Sequence, residues 1–177
     1  MSGLTLDEAV AHVCDTNPIF KVGEATIRGV DYRVFDNAPS HLADLLHAAK
    51  SMHGDGADEY LSYQDDRWTY DEFCRDVNRL GHALQTAGLG KGDRIGIAMR
   101  NFPELLLIMM ANASIGAVTV FLNAWWTTEE LDYALEDSGA QAVFADAPRL
   151  QRLLPIVREK NVRLIGVRDG EAEAPDS

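Results

Sequence analysis

The residues of this chain with the clearest binding chemistry follow short apolar segments, each of which has the pattern of a buried strand. Arg100 and Asn101 follow the first such segment, and Asn123 begins the stretch after the second. In an open α/β sheet the carboxyl ends of the strands meet at one edge, where ligands bind. We therefore predict a ligand-binding crevice lined by Arg100, Asn101, Asn123, Trp125 and Trp126.

Arg100 and the adjacent indoles are the side chains that could contact a ligand most directly. Arg100 could face an anion in the crevice, although such an arginine more often pairs with a nearby acid, and Glu104 lies one helical turn away. Trp125 and Trp126 together could wall an apolar pocket. The alternative is that one indole packs under the sheet edge while the other covers the next helix, because large aromatic side chains mostly serve packing.

Helix-capping residues rather than glycines follow the predicted strands. Asn101 and Glu104 have the spacing of a capping box. Thr127 and Glu130 repeat that spacing, and Asp146 can cap the third helix. A phosphate cradle needs successive backbone N–H groups at close approach, which side chains with Cβ atoms obstruct. We therefore predict no nucleotide phosphate site, and we assign no catalytic, metal-binding or cofactor-binding residue to this chain.

The glycine-rich segment from Gly88 to Asp93 contains Lys91 but has the wrong topology for a phosphate loop. It leaves a predicted helix and enters a strand. A phosphate loop instead leaves a strand, enters a helix and has Ser or Thr after its lysine. We interpret the segment as a connection at the opposite edge of the sheet.

The histidines and cysteines lack the spacing of a metal or redox site. His41, His47 and His53 are six residues apart, so no two of them share a helix face as metal ligands would. Cys14 and Cys74 form no Cys-x-x-Cys pair, and we expect two thiols rather than a disulfide.

The elements that position the candidate residues alternate between strand and helix from residue 94 onwards. The pattern predicts strands at 94–99, 118–122, 142–145 and 162–167, separated by helices at 103–115, 129–137 and 149–160. Such alternation indicates βαβ units, and continuously apolar strands are typical of a parallel sheet that is covered on both faces. The predicted fold class is α/β, a three-layer sandwich with a mostly parallel, doubly wound sheet, plus an N-terminal arm and a small hairpin.

The segments before residue 94 predict an arm, a helix, a hairpin and a longer helix. The predicted elements are a helix from Thr5 or Asp7 to Asp15, a strand at 31–35, a helix from Ser40 to about His53, a hairpin at 59–69 and a helix from Tyr70 to Ala87. Leu42, Leu45 and Leu46 fall on one face of the second helix. The domain organisation is then an arm at 1–38, an α/β subdomain at 39–168, and a disordered acidic tail at 169–177.

The composition argues against nucleic-acid and membrane binding. The formal net charge is −12 and no run of Lys or Arg occurs, so nucleic acid and anionic lipid are repelled. The uncharged run at 105–122 approaches the length of a membrane span. It changes at Gly116 from Leu- and Met-rich to β-branched, which favours a buried helix, a turn and a buried strand. We expect a cytoplasmic protein without a membrane span.

Several motifs occur in the order found in AMP-forming acyl-CoA synthetases. Trp68 to Phe73 resembles the first core motif of that superfamily, an aromatic-Thr-Tyr-x-Glu-hydrophobic stretch. Ala113 to Asn123 resembles the second, with its Gly-Ala pair and terminal Asn. The stretch from Leu122 to Ala140 is similar to the fatty-acid–CoA ligase branch. Over residues 30–167 the chain therefore resembles the N-terminal part of an AMP-dependent, adenylate-forming synthetase or ligase.

The resemblance implies an activity for a complete protein rather than for this chain. A carboxylic or fatty acid, ATP and CoA would give acyl-CoA, AMP and pyrophosphate, with ATP, Mg²⁺ and CoA bound. No position here matches the family's Pro-Lys-Gly phosphate loop, its aromatic-Gly-x-Thr-Glu stretch, its ribose-binding Asp or the lysine of its C-terminal domain. We therefore expect a fragment that is inactive by itself, binds none of these cofactors, and has the remainder of a synthetase as its partner. An uncovered sheet edge would also allow self-association.

A second hypothesis is that the chain is a stand-alone, non-catalytic α/β binding or interaction module. The missing phosphate loop and the adjacent Trp125 and Trp126 favour it, because two indoles at a sheet edge could contact a partner chain or an apolar ligand.

Overall fold

The computed structural model describes residues 3–53 and 56–170. Most of the predicted acidic tail, from residue 171 onward, lies outside the described residues. The chain divides into two compact units, Met1–Ser40 and His41–Ser177. We describe each unit by itself.

The first unit contains a helix and a two-stranded hairpin. Helix α1 (Leu6–Thr16) begins with a capping box in which Thr5 and Glu8 each bond the other's backbone N–H. A 3₁₀ turn (Pro18–Phe20) leads to β1 (Val22–Ile27) and β2 (Val30–Phe35), which pair antiparallel. The predicted strand at 31–35 is therefore present, but its partner β1 was not predicted. The two-residue turn at Arg28 and Gly29 has positive φ at both positions, as a tight hairpin requires.

The second unit opens with helix α2 (Leu42–Met52), and here the predicted N-cap is wrong. His41 rather than Ser40 is the N-cap, and its backbone N–H donates to the Asp44 carboxylate over 3.2 Å. Of the predicted apolar face, Leu46 is buried while Leu42 and Leu45 are exposed. Helical spacing fixes which residues share a face but not how much of that face the neighbouring elements cover.

The predicted hairpin and long helix are confirmed. Strands β3 (Glu59–Tyr63) and β4 (Asp66–Thr69) pair antiparallel, with Gln64 in the left-handed region at the turn. Helix α3 (Tyr70–Thr86) follows at once and begins with a capping box between Thr69 and Glu72. The hydrogen bonds from the Thr69 backbone and hydroxyl hold the pKa of Glu72 below its ordinary value. The helix ends before Gly88, whose φ of 81° matches the left-handed residue that commonly follows a helix.

The main sheet has four parallel strands in the order β6-β5-β7-β8. Its elements are β5 (Arg94–Ala98), α4 (Pro103–Ser114), β6 (Val118–Phe121), α5 (Thr128–Ser138), β7 (Ala142–Asp146), α6 (Ala147–Lys160) and β8 (Arg163–Val167). The chain runs outward from β5 to β6 and then crosses back to β7 on the other side of β5. This confirms the predicted α/β class with a parallel, doubly wound sheet. The direction reverses between β5 and β7, which is where such sheets bind ligands.

The two faces of the sheet bury separate apolar clusters. Along β5, Ile95 and Ile97 belong to the cluster that includes side chains of α3 and α4. Ala98 belongs to the cluster that includes side chains of α5 and α6. Because side chains alternate along a strand, a continuously apolar sequence serves both faces at once.

The uncharged run at 105–122 is divided between α4, a turn at Gly116 with φ of 74°, and β6. Across the described ranges 3–53 and 56–170, no helix is long and apolar enough to cross a membrane.

Gly96 is required by the close packing of β5. A Cβ added there would lie 3.1 Å from Val143 Cγ2 and 3.3 Å from Leu122 Cδ1. We expect Gly96→Val to lower the free energy of unfolding by about 1–3 kcal/mol, because overpacking forces the neighbours to move. Urea unfolding measures this change.

Gly90→Val is the matched control, since nothing lies within 4 Å of a Cβ at Gly90. It should change the free energy of unfolding by no more than about 0.5 kcal/mol. Equal losses for the two variants would contradict the packing described for β5.

Candidate functional site

A crevice of about 810 Å³ opens at the carboxyl ends of β5, β6 and β7. The loops that follow these strands form most of its wall, and the turn of the β3–β4 hairpin adds Tyr63 and Gln64. Of the predicted crevice residues, the structure brings together Arg100, Asn101, Asn123 and Trp125. The position agrees with the general rule for doubly wound sheets, because it lies beside the reversal between β5 and β7.

The two adjacent indoles have different environments. Trp126 does not line the crevice; it is half-buried and packs against the apolar cluster beneath α5 and α6. Trp125 lines the crevice and is 63% exposed, with its ring centre 5.4 Å from the guanidinium carbon of Arg149. The prediction that both indoles line the crevice is therefore wrong for Trp126, which packs as the alternative had it for one of the two. The indoles lie at a turn, in which the Trp126 N–H donates to the Asn123 carbonyl oxygen over 3.1 Å, and the turn gives them different surroundings.

A buried ion pair that the sequence analysis missed lies beneath the crevice. Asp146 and Arg149 are only 2% and 1% exposed, and Arg149 Nη1 lies 3.4 Å from Asp146 Oδ2. Asp146 is the predicted N-cap of α6, but its Oδ2 also accepts a hydrogen bond of 2.9 Å from the backbone N–H of Arg100. An acid and an arginine three residues apart at a helix start was the available signal.

Two arginines of α6 hold the loop between β6 and α5. Arg149 Nε donates to the carbonyl oxygen of Ala124 over 2.6 Å. Arg152 Nη1 donates to the same oxygen over 3.2 Å and to that of Trp126 over 3.1 Å. Through Asp146 and Arg149, the three loops that surround the crevice are therefore bonded to one another.

Another part of the crevice wall contains a cation that lies against two aromatic rings. The guanidinium carbon of Arg168 lies 5.3 Å from the ring centre of Tyr63 and 5.0 Å from that of Phe102. Arg168 Nε also bonds Glu104 Oε1 over 2.9 Å. Such cation–π contacts strengthen as water is excluded. Arg168 thus joins the hairpin tip to the start of α4.

This geometry corrects two predictions about the start of α4. Phe102, not Asn101, is the N-cap, and it makes no side-chain capping bond. The sequence predicts that the Glu104 carboxylate pairs with Asn101 or Arg100, whereas the structure places it against Arg168. The contact joins residues 64 positions apart, so local spacing could not reveal it.

The described crevice residues do not fit a triphosphate. None of those that line the crevice is a glycine. At the start of α5 the Glu130 carboxylate accepts the Thr127 N–H over 2.8 Å, and Asp146 caps α6. These carboxylates occupy the positions that a phosphate would need, and they would repel it. The segment from Gly88 to Asp93 joins α3 to β5, as predicted, at the other end of the strands.

The histidines and cysteines are dispersed. Across 3–53 and 56–170, no group of three or more His, Cys, Asp or Glu side chains could hold a metal ion. Cys14 and Cys74 are free thiols, and burial raises the pKa of Cys74. His41 and His53 lie beside Asp44 and Asp58 at 3.0 and 3.3 Å.

The sequence matches a known family along most of the second unit. The family of AMP-binding enzymes matches residues 47–176. The chain belongs to this family. The resemblance that the motifs indicated is thereby confirmed.

Curated relatives that this chain resembles include acyl-CoA ligases. The acyl-CoA ligase sidI of Beauveria bassiana is 32% identical over 134 residues, which are 76% of this chain and 22% of the relative. The 3-hydroxybenzoate–CoA/4-hydroxybenzoate–CoA ligase of Thauera aromatica is 36% identical over 108 residues, 60% of this chain and 21% of the relative. The chain spans about a fifth of the length of the curated relatives it matches.

Solved structures of two ligases support the fold of this chain. A benzoate CoA ligase from Burkholderia xenovorans LB400 superposes with a TM-score of 0.67 at 23% identity, covering 74% of this chain and 26% of the other. The inhibitor-bound N-terminal domain of FACL13 from Mycobacterium tuberculosis gives 0.65 at 25% identity, covering 73% and 34%.

The different environments of the two indoles predict different effects on stability. Trp126→Ala should lower the free energy of unfolding by about 2 kcal/mol or more, because it removes an aromatic side chain from the apolar cluster. Trp125→Ala should lower it by about 1 kcal/mol or less, because it removes an exposed cation–π contact. Urea unfolding of both variants checks the difference, and a larger loss for Trp125→Ala would contradict the assignment.

Proposed function

We propose that this chain is the N-terminal portion of an ATP-dependent, AMP-forming acyl-CoA synthetase. In that protein a carboxylic acid, ATP and CoA would give acyl-CoA, AMP and pyrophosphate. The observation that carries the proposal is the family match over residues 47–176, together with curated relatives that are acyl-CoA ligases. A cytoplasmic location, where ATP and CoA are supplied, is part of the proposal.

The chain by itself would not carry out this reaction. Adenylation needs donors for the developing phosphate charge, usually cationic side chains and Mg²⁺. In the described structure the carboxylates of Asp146 and Glu130 instead lie at the starts of the helices beside the crevice. ATP, Mg²⁺ and CoA would therefore be bound mainly by segments that correspond to the other four-fifths of a relative, which this chain does not match.

In this proposal the crevice contributes a wall of the complete site. Arg100, Asn101, Asn123 and Trp125 remain the proposed ligand-contacting residues, and Trp126 is a packing residue. The substrate would be a carboxylic acid, since the relatives include a hydroxybenzoate–CoA ligase and an acyl-CoA ligase. The fatty-acid branch indicated by the sequence motifs is retained as the proposed acyl class.

The 177-residue chain is expected to be inactive in ATP–pyrophosphate exchange. Purified chain would be assayed with MgATP and either 3-hydroxybenzoate or a fatty acid, beside the full product of the reading frame that encodes it. We expect exchange only from a product that includes the segments corresponding to the unmatched four-fifths of the relatives, because the phosphate-binding groups would belong to those segments. Exchange by the 177-residue chain would contradict both the proposal and the phosphate argument.

The non-catalytic module remains a second candidate because the crevice exposes Trp125 and contains no phosphate cradle. Calorimetry of the chain with MgATP, CoA and fatty acids separates the two. Tight binding of a fatty acid by the isolated chain, with no exchange activity in the full product of the frame, would favour the module.

We also propose that the isolated chain self-associates through β6. This strand pairs only with β5 among the described residues, and its Val118 and Phe121 are 49% and 55% exposed. An uncovered strand edge is a template for pairing with another chain.

Light scattering tests this proposal. The parent chain should form dimers or larger species as its concentration rises, and Phe121→Lys should shift it toward the monomer because a charge at the edge opposes pairing. Tyr133→Lys is the matched control, since Tyr133 is an exposed aromatic residue of α5. A parent that stays monomeric, or equal effects of both substitutions, would contradict the proposal.

A further inference from the structure

We propose that Arg149 is the positioning residue of the crevice, which holds the Trp125 indole as a fixed wall. This inference rests on the proposed function for the assignment of the crevice as a binding site. Arg149 would act indirectly, by holding the Trp125 side chain that lines the crevice.

The burial of Arg149 needs an explanation. A guanidinium that is 1% exposed has lost nearly all its hydration, and its contact with the Asp146 carboxylate is 3.4 Å long. A buried ion pair of this kind is often replaceable by apolar residues without loss of stability. The presence of the pair therefore indicates that Arg149 fixes the position of neighbouring groups, and its other contacts show which groups these are.

Two further contacts of Arg149 are with the segment that begins at Asn123. Its Nε bonds the Ala124 carbonyl oxygen over 2.6 Å, and its guanidinium carbon lies 5.4 Å from the Trp125 ring centre. The Trp125 backbone N–H donates to Asn123 Oδ1 over 2.9 Å, which fixes the turn before the indole. A side chain that is 63% exposed has little packing to hold it, so these contacts set its position.

Arg152 provides an internal comparison. It bonds the backbone oxygens of Ala124 and Trp126, whereas the guanidinium that lies over the Trp125 ring is that of Arg149. Arg152 thus supports the backbone of the loop, whereas Arg149 supports both the backbone and the indole. An arginine is suited to this double role, because its planar fork can donate in the plane while its face lies against a ring.

The experiment follows the fluorescence of Trp125 as the only tryptophan, excited selectively over the tyrosines. The chain has three tryptophans, so Trp68→Phe with Trp126→Phe leaves Trp125 as the only one. In this background the acrylamide quenching constant and the urea unfolding midpoint are measured for Arg149→Met, for Asp146→Asn with Arg149→Met, and for Arg149→Lys. Arg158→Met is the control, because Arg158 is an exposed arginine of the same helix.

The expected result separates position from stability. Arg149→Met should lower the unfolding midpoint because Asp146 is left buried and uncompensated, and the double variant should recover much of that loss. The quenching constant should rise roughly twofold in both, because both faces of the indole become accessible without the guanidinium. Arg149→Lys should also raise it, and Arg158→Met should change neither quantity.

A double variant that recovers stability and keeps the parent quenching constant would overturn the proposal, because Trp125 would then be held without Arg149. A rise with Arg158→Met equal to that with Arg149→Met would overturn it as well. The measurement uses no substrate, so its outcome is independent of the exchange assay. Failure of the proposed function would leave the position of Trp125 as measured.

Discussion

The buried pair of Asp146 and Arg149 is the interaction on which the crevice depends. Removing each of these charges from water costs several kcal/mol, and the attraction between them offsets this only with help from further hydrogen bonds. The backbone N–H of Arg100 and the carbonyl oxygen of Ala124 provide that help. Each of these groups belongs to the loop that follows a different strand. The contacts that compensate the buried charges of Asp146 and Arg149 are therefore the same contacts that fix the shape of the crevice.

The order of the strands makes this arrangement possible. Because β5 lies between β6 and β7, all three loops leave the sheet side by side at one edge. The register pairs Ala98 with Ala145, which brings the residues just beyond them, Arg100 and Asp146, within hydrogen-bond distance. Small residues on the central strands allow these strands to pack closely. At Gly96 in particular, the neighbouring Val143 leaves no room for a side chain. Packing in the sheet thus sets the spacing that the polar contacts require.

Much of the fold was readable from the sequence, whereas the centre of the site was not. Strands and helices from residue 94 onwards followed from apolar runs and capping residues such as Thr127, because those signals are local. The contacts of Asp146 and Arg149 join residues 46 and 25 positions apart, and no local pattern encodes them. The same reason explains why the sequence predicted that Glu104 pairs with Asn101 or Arg100. In the structure it pairs with Arg168, which directly follows β8. The different environments of Trp125 and Trp126 depend on the turn that follows β6, and the sequence left both interpretations of these residues open.

The chain belongs to the family of AMP-binding enzymes and spans about a fifth of the length of its curated acyl-CoA ligase relatives. The central claim is that one buried pair unites the loops around the crevice. Hydrogen–deuterium exchange of Asp146→Ala against the parent tests it most directly. We predict faster exchange of the Arg100 amide and of residues 123–127, with α3 (Tyr70–Thr86) unchanged. Unchanged exchange in both loops, or an equal increase throughout α3, would contradict the account.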